Sequence, residues 1–267
     1  MTLVASKGIA LLRQEAQEVL DGLMLGDGSI RRYLNTAQYS MNQSKHTILL
    51  EDHLKWEYWL RDNVFAALSI HAAVKPYRKK FSYVARLEVG FQVARLSTVL
   101  SPLLIESYDE WYCGGEWIGS KKRKYGSKYI RGATKVIPER IMEANAIPTR
   151  TLAHWFLGDG ESSLENKNRL TPQVHIGLAT YCFTKEEVYH LIFILNKMGL
   201  ETTKPREQPH ESGSGLGIRL TQGSVNDFID LVEDHIMEIF GDSPYSSYKD
   251  KIIRKSQLII PRGVPTT

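Results

Sequence analysis

Residues 20–28 read Leu-Asp-Gly-Leu-Met-Leu-Gly-Asp-Gly, and residues 152–160 read Leu-Ala-His-Trp-Phe-Leu-Gly-Asp-Gly. Both stretches end in Leu-Gly-Asp-Gly, and their aspartates, Asp27 and Asp159, lie 132 positions apart in a chain of 267 residues. A segment repeated at half the chain length indicates a duplicated structural unit. A single copy is more typical of an ordinary helix that ends in a turn, but two copies in matching contexts favour duplication.

The sequence after each motif predicts helices in the same order. One helix is predicted to begin near Glu51 in the first half, and its counterpart at Thr184, where Thr184 and Glu187 form a capping box. A later helix is predicted to begin near Leu96, and its counterpart near Gly223. Both order and spacing recur, which supports the duplication.

Apolar and polar residues alternate between these helices, which is typical of half-buried strands. The alternation predicts strands at residues 81–93, 173–178 and 216–221. Their apolar faces would pack on helices, and their polar faces would remain free, as in antiparallel sheets. We therefore predict the class α+β, with two pseudo-twofold-related αββαββα units.

The first motif lies on a helix predicted from about Arg13 to Gly26. Gly22 and Gly26 are four residues apart, so they share one helix face and allow another backbone to approach closely. Gly28 follows the helix and suits a left-handed C-cap. These glycines predict that the motif helix packs against a partner helix.

The two motif aspartates are unfavourably placed for helix stability. A carboxylate at a helix C-terminus opposes the macrodipole and costs about 0.3–1 kcal/mol. If the two motif helices pack side by side, Asp27 and Asp159 meet and repel each other unless a cation lies between them. Mg²⁺ takes oxygen ligands and shares them with substrate phosphate. The pair therefore suits metal-assisted phosphodiester hydrolysis.

Composition narrows the class of protein. The chain is 42% hydrophobic and 24% charged, with net charge +4 and a pI of about 8.9, which is weak support for a polyanionic partner. No apolar run approaches the ~20 residues of a membrane span, so no membrane partner is expected. The N-terminus shows no secretory signal, and Cys113 and Cys182 lack metal-ligand spacing. We expect an intracellular protein, in a bacterial cytoplasm, chloroplast or mitochondrion.

Residues 20–28 resemble the signature of the LAGLIDADG homing endonucleases, which ends in aspartate followed by glycine. Residues 151–160 resemble the second motif of the two-motif, single-chain branch typified by the yeast mitochondrial intron-encoded endonuclease. In this copy His154 replaces the usual small residue. The resemblance spans nearly the whole chain and includes residues 107–112, 135–138 and 182–188.

The resemblance implies a monomer that makes double-strand breaks in a long DNA target. It implies antiparallel sheets that form a DNA-binding saddle, with the motif helices at the interface of the two units. Mg²⁺ would be the cofactor, with Mn²⁺ or Ca²⁺ as substitutes. The implied catalytic residues are Asp27, Asp159, Lys135 and Lys249, and the implied metal ligands are Asp27, Asp159 and the carbonyls of Gly26 and Gly158. For either lysine the alternative is a solvated surface residue.

The first half carries a basic insertion at residues 114–131, which favours a phosphate clamp over a solvated loop. Residues 78–80 form a second basic cluster, predicted at a hairpin tip. Polar strand residues would read bases, with Arg86 and Arg219 suited to guanine and glutamines suited to adenine. The predicted DNA-binding residues are Arg31, Arg32, Arg78, Lys79, Lys80, Arg86, Gln92, Lys121, Lys122, Arg123, Lys124, Lys128, Arg131, Gln173, His175 and Arg219.

This pattern divides the chain into an N-terminal repeat (1–112), a basic insertion and linker (113–148) and a C-terminal repeat (149–267). Three tryptophans on predicted helices, Trp56, Trp59 and Trp111, are interpreted as core rather than as base-stacking platforms. Two alternatives to the nuclease remain open. One is an RNA maturase on the same scaffold, with host intron RNA as a partner, and the other is a non-catalytic DNA-binding regulator.

Overall fold

The computed structural model of the chain describes residues 2–44, 50–84, 87–119, 128–165, 173–207 and 214–241. Its first half contains three helices and four long strands. These are α1 (Thr2–Leu25), β1 (Ser29–Arg32), β2 (Ala37–Ser44), α2 (Leu50–Trp59), β3 (Ala72–Val84), β4 (Leu87–Thr98) and α3 (Leu104–Trp111). The helix α2 continues directly as a π-helix over Leu60–Phe65.

The second half repeats this order after a connecting region. Its elements are α5 (Thr149–Asp159), β9 (Gly160–Glu165), β10 (Gln173–Ala179), α6 (Lys185–Lys197), β11 (Arg206–Glu207), β12 (Leu216–Arg219) and α7 (Val225–Phe240). The connecting region contains β5 (Tyr112–Cys113), β6 (Glu116–Gly119), β7 (Lys128–Arg131), β8 (Thr134–Lys135) and α4 (Glu139–Met142). The predicted α+β class and the αββαββα order of each half are confirmed.

Each half forms a four-stranded antiparallel sheet with the same strand order. The sheets are β1-β2-β4-β3 and β9-β10-β12-β11. One face of each sheet packs on helices, with α2 against β4 and α6 against β12. Val174, Ile176 and Leu178 of β10 are buried on this side, as the alternating pattern predicted.

The capping box predicted for α6 is present. The Thr184 hydroxyl accepts a hydrogen bond from the Glu187 backbone N–H at 3.2 Å, and the Glu187 carboxylate accepts one from the Thr184 N–H at 2.8 Å. The same carboxylate accepts a hydrogen bond from the Ile137 N–H at 2.7 Å. Glu187 therefore also fastens the connecting region to the second half.

Two element predictions were wrong. Residues 81–93 form two strands of the β3–β4 hairpin rather than one strand. Leu96 lies in β4 rather than at a helix start, and the helix begins at Leu104. Burial alternates at this point, since Ala94, Leu96 and Thr98 are buried while Arg95 is exposed. A period of two favours a strand over a helix.

Smaller differences concern the ends of elements. The helix α1 begins at Thr2, well before the predicted start near Arg13. Lys79 and Lys80 are not at the hairpin tip but pair with Phe91 and Gly90 within the β3–β4 ladder. Among the tryptophans, Trp56 and Trp111 are fully buried and Trp59 packs on the core, as predicted. Within the described residues, no helix is long and apolar enough to span a membrane.

Candidate active site

The ends of α1 and α5 lie side by side because glycines line their contact. A β-carbon added at Gly22 would lie 2.4 Å from the Thr151 carbonyl oxygen and 2.9 Å from the His154 Cβ. A β-carbon at Gly26 would lie 3.4 Å from the Asp159 backbone nitrogen, and one at Gly158 3.6 Å from the Asp27 nitrogen. The two motif aspartates therefore occupy adjacent helix ends.

The large residue opposite Gly22 is accommodated by the space that the glycine leaves. His154 is fully buried, and its Nδ1 accepts a hydrogen bond from Trp56 Nε1 at 3.3 Å. Its ring also stacks on Trp59, with 5.3 Å between centroids. Burial lowers the pKa of His154 to about 3, so this imidazole is neutral at physiological pH. The departure from the family signature thus leaves the close helix packing intact.

The glycine after the first aspartate does not adopt the predicted left-handed conformation. Gly28 is not among the described glycines with positive φ. Its N–H instead donates to the Leu23 carbonyl at 2.8 Å, and an added β-carbon would lie 2.6 Å from that oxygen. Glycine is needed here because the chain folds back tightly onto the last turn of α1.

Lys135 reaches this helix end from the connecting region. Its Nζ donates hydrogen bonds to the Gly26 carbonyl at 2.9 Å and to the Gly28 carbonyl at 3.0 Å. Burial lowers the pKa of Lys135, and this effect is opposed by Cys182, Asp159 and Asp27. The lysine thus places a positive charge beside both motif aspartates. Its predicted counterpart, Lys249, lies outside the described residues.

The donor set suits a hard divalent cation that completes its shell with substrate. Asp27 is exposed and Asp159 half-buried, so both are open to solvent. The described residues contain no group of three or more His, Cys, Asp or Glu side chains that would hold a metal alone. A Mg²⁺ ion normally keeps waters and binds substrate phosphate in addition to one or two carboxylates. The Gly26 carbonyl already accepts a hydrogen bond from Lys135, which competes with its predicted role as a metal ligand.

The predicted DNA-binding residues occupy several different environments. Arg31, Lys128, Arg131 and Gln173 are exposed, whereas Arg219 is half-buried. His175 Nδ1 lies 3.3 Å from Gln222 Nε2. Arg78 pairs with Gln92 in the β3–β4 ladder. Arg86 and the basic residues Lys121, Lys122, Arg123 and Lys124 lie outside the described residues.

The Arg32 side chain forms contacts within the protein. Its guanidinium donates to the carbonyls of Tyr33 and Leu34, and its side chain is only 14% exposed. It also lies 5.9 Å from the ring centroid of Trp117 in the connecting region. These contacts close the turn after β1, and the contact of Arg32 with DNA stays a prediction.

The basic insertion is attached to the edge of the first sheet. Strands β6 and β7 form a two-stranded ribbon, and Tyr129 of β7 forms an antiparallel bridge with Tyr33 next to β1. The exposed Lys128 and Arg131 are at the two ends of β7. This ribbon therefore extends the first sheet on its β1 side.

Sequence reasoning missed two residues near the second aspartate. Glu161 and Tyr181 line a cavity of about 140 Å³ together with Asp159 and Arg219. Glu161 follows Asp159 by two residues, as Ser29 follows Asp27. This position, two residues after the motif aspartate in both halves, is the sequence feature that would have indicated Glu161.

Comparison with known proteins identifies the family. A family model described as the LAGLIDADG DNA endonuclease family matches residues 17–228. The chain therefore belongs to the LAGLIDADG DNA endonuclease family. The activity that defines this family is that of a DNA endonuclease.

A solved structure shows the same fold. The homing endonuclease I-WcaI bound to its DNA recognition sequence is 19% identical, with a TM-score of 0.60, and the match covers 91% of this chain and 87% of that chain. I-DmoI in complex with DNA and Mn is 13% identical, with a TM-score of 0.44, over 82% of this chain and 96% of that chain. No curated protein sequence matches the chain.

Proposed function

We propose that Asp27 and Asp159 are the catalytic carboxylates of this endonuclease and that they act with Mg²⁺. The observation that carries this proposal is their placement at the adjacent ends of α1 and α5, where a β-carbon added at Gly26 would lie 3.4 Å from the Asp159 nitrogen and one added at Gly158 3.6 Å from the Asp27 nitrogen. Two carboxylates on distant surfaces could not both reach the phosphates of one bound DNA duplex. In this arrangement one DNA duplex can reach both.

The metal would be held by the two aspartates and the carbonyl of Gly158, with the Gly26 carbonyl shared with Lys135; Mn²⁺ or Ca²⁺ would substitute at the same donors. When bound, such an ion supplies Lewis acidity and an activated water for phosphodiester hydrolysis. The ammonium of Lys135 would stabilise negative charge that develops on the phosphate. We propose the same role for Lys249 in the second half.

Lys135 is held by two backbone carbonyls, which fixes its Nζ at the end of the first motif. A preoriented charge needs little reorganisation during the reaction and is therefore more effective than a mobile surface lysine. Its geometry favours a catalytic role over the solvated alternative. The same geometry favours the nuclease over the non-catalytic uses of this scaffold.

The free sheet faces would lie along the major groove of a long target. Gln173 and His175 would contact base edges in the second half, and Arg31 would do so in the first. Lys128 and Arg131, with the basic residues at 121–124, would contact phosphates, so binding would weaken as salt rises. Arg78, Lys79, Lys80, Arg86 and Gln92 would extend these contacts along the β3–β4 hairpin.

We further propose that the enzyme acts as a monomer of the two-motif branch typified by the yeast mitochondrial intron-encoded endonuclease. Both motifs are present in one chain, and α1 packs directly against α5, so no second copy is required to pair the aspartates. The division into repeats at 1–112 and 149–267, with an insertion at 113–148, follows from this duplication.

The test is cleavage by aspartate variants. A DNA target is first selected from a pool of randomised duplexes. Alternatively, it is the sequence formed by joining the two DNA segments that flank the gene. We expect Asp27→Asn and Asp159→Asn each to reduce Mg²⁺-dependent cleavage by at least about 1,000-fold, because charge neutralisation removes a metal ligand. Binding to the same target, measured without divalent metal, should change by less than about threefold.

The matched control is Asp62→Asn, since Asp62 is exposed and pairs only locally with Arg61. It should cleave at the wild-type rate. Normal cleavage by both motif variants would falsify the catalytic assignment. A splicing assay with the host intron and the double variant D27N/D159N separates the maturase alternative, because a maturase would retain its activity.

A further inference from the structure

The two sheets differ where they adjoin the motif aspartates. In the first sheet the row that begins two residues after Asp27 consists of Ser29, Ser40 and Ser97, paired across β1, β2 and β4. The Ser29 and Ser40 hydroxyl oxygens lie 3.2 Å apart. Hydroxyl groups both donate and accept hydrogen bonds, so this row can adapt to any base.

The corresponding row of the second sheet carries opposite charges. It begins two residues after Asp159 and consists of Glu161, Gly177 and Arg219, paired across β9, β10 and β12. The central glycine separates a carboxylate on one side from a guanidinium on the other. Adjacent strands lie about 4.8 Å apart, so the outer Cα atoms are separated by roughly twice that distance.

The glycine in this row makes room for the neighbouring side chain. A β-carbon added at Gly177 would lie 2.9 Å from Glu161 Oε1, so the carboxylate leans over the glycine toward Arg219. A second glycine, Gly217, is covered in the same way by the Tyr181 ring, with 3.0 Å from an added β-carbon to Cε1.

The result is a shaped recess. Glu161, Tyr181 and Arg219 line a cavity of about 140 Å³ that also reaches Asp159. The Nε of Arg219 is buried, so the guanidinium is held by its surroundings instead of extending freely into solvent. A preordered side chain loses less conformational entropy on binding than a mobile one.

The chemistry of the row matches one base pair better than a phosphate. A carboxylate beside the guanidinium repels phosphate, which excludes a simple phosphate clamp. In the major groove guanine presents two acceptors, N7 and O6, and its cytosine partner presents the N4 amino donor. Arginine binds the two guanine acceptors in a bidentate manner, and glutamate accepts from cytosine N4. Arg219 and Glu161 together therefore complement the whole edge of a G·C pair.

We propose that Glu161 and Arg219 form a base-reading pair that selects one G·C pair beside the cut, on the side of the second half. The serine row of the first half tolerates every base at the mirror position. This inference rests on the proposed function, because it assumes that DNA lies across both aspartates. Neither residue would be needed for the chemistry itself.

The experiment compares base preferences of the enzyme and its variants. Duplexes with the base pairs next to the cut randomised on both sides are cleaved in Mg²⁺, and cleaved and uncleaved molecules are sequenced. In parallel, bound duplexes are selected without divalent metal. We expect the wild type to favour G·C at one position on the second-half side by about 10- to 100-fold, with no more than a threefold preference at the mirror position.

Two variants test the pair directly. Arg219→Ala should reduce this preference to less than about threefold, while duplexes with other bases at that position keep most of their cleavage rate. Glu161→Gln should admit A·T at the position, because a glutamine amide pairs with adenine N6 and N7. Asp62→Asn, at an exposed position paired with Arg61, is the control and should leave the cleavage preference and the binding preference unchanged.

The outcomes separate this inference from the proposed function. An enzyme that cleaves without a preference at this position, or an Arg219→Ala variant that retains the preference, overturns the base-reading pair and leaves the nuclease intact. Loss of all cleavage in Glu161→Gln with an unchanged binding preference also overturns it, since Glu161 would then serve the reaction. Failure of the wild type to cleave overturns the proposed function, and the binding selection still decides the base preference.

Discussion

The two halves of the molecule share an order of elements and a strand order, yet the surroundings of their aspartates differ. Asp27 is exposed and lies beside Lys135, which donates to the carbonyls of Gly26 and Gly28. Asp159 is half-buried and borders the recess that Glu161 and Arg219 line.

This difference shows how a duplicated scaffold can diverge. The two helix ends can pair only because glycines allow their backbones to approach closely. Both halves retain these glycines. The residues beside each aspartate are free to change because they lie outside this contact between the two helices. We therefore expect the two aspartates to share one site but to contribute unequally to cutting each strand.

Among changes that test the difference between the halves, the largest effect is expected from removing the first-half lysine. Lys135→Met should slow cleavage by about 100- to 1,000-fold, because an oriented positive charge beside both aspartates is lost. Lys135 bonds the first motif directly, so one strand should be slowed more than the other and nicked plasmid should accumulate. Single-turnover cleavage of a supercoiled plasmid measures both rates.

Lys128→Met is the control for this variant, since Lys128 is exposed on β7. It should lower affinity modestly at low salt without changing the cleavage rate of bound DNA. Equal slowing of both strands by Lys135→Met would show that the lysine serves the two aspartates alike, contrary to the inferred asymmetry.

Buried ionisable groups give the halves opposite pH dependence. Burial raises the pKa of Glu57 in the first half from 4.5 to about 8, and the Leu96 backbone lowers it only in part. The native state keeps a proton that the unfolded chain releases, so this contribution to stability is complete below pH 4.5 and is lost as pH rises through 8. His154 in the second half has a lowered pKa, so its contribution is present above pH 6.5 and is lost as pH falls toward 3.

Glu57→Gln should remove the alkaline loss of stability. Each pH unit well between the two pKa values of Glu57 costs about 1.4 kcal/mol, and this slope falls near pH 8, so the wild type should lose roughly 2 kcal/mol between pH 6 and pH 8 relative to the variant. Urea denaturation across this range measures the difference. Parallel pH profiles of the free energy of unfolding for wild type and variant would contradict this prediction. The loss of stability at acid pH that is attributed to His154 should persist in both proteins.

The smallest effect is expected at two glycines of the first motif, Gly22 within α1 and Gly26 directly after it. Gly22→Ala should destabilise the protein by about 1–3 kcal/mol, because the added methyl overlaps the Thr151 carbonyl of α5. Gly26→Ala has 3.4 Å to its nearest neighbour, the Asp159 nitrogen, and should change the free energy of unfolding by less than about 0.5 kcal/mol. Similar losses for the two variants in chemical denaturation would argue against the close contact at Gly22.

Much of the fold could be predicted because its signals are local. The capping box at Thr184 and Glu187, the alternation in β10 and the repeated Gly-Asp-Gly each depend on a few neighbouring residues. The errors fell where local signals conflict. The segment around Leu96 is apolar enough for a helix, but pairing between β2 and β4 draws it into the sheet. Tertiary contacts commonly override weak local preferences in this way.

The residues of the candidate site also differ in how far the sequence predicted them. Asp27 and Asp159 were evident from sequence because duplication marks them twice, and Lys135 was found only through family resemblance. The roles of neighbouring side chains depend on contacts across the fold. Arg32 was predicted from sequence as a DNA-binding residue, and only the structure shows that its guanidinium donates to the carbonyls of its own turn.

The sequence by itself determined a duplicated α+β protein with an aspartate at each motif end, because helix periodicity, strand alternation and glycine spacing are properties of short segments. Only the tertiary structure decided which side chains surround each aspartate. Strand register brings Glu161 opposite Gly177 and Gly177 opposite Arg219, and a shift of one residue would have turned these side chains to the other face. That register depends on how whole sheets pack, and no short segment of the sequence encodes it.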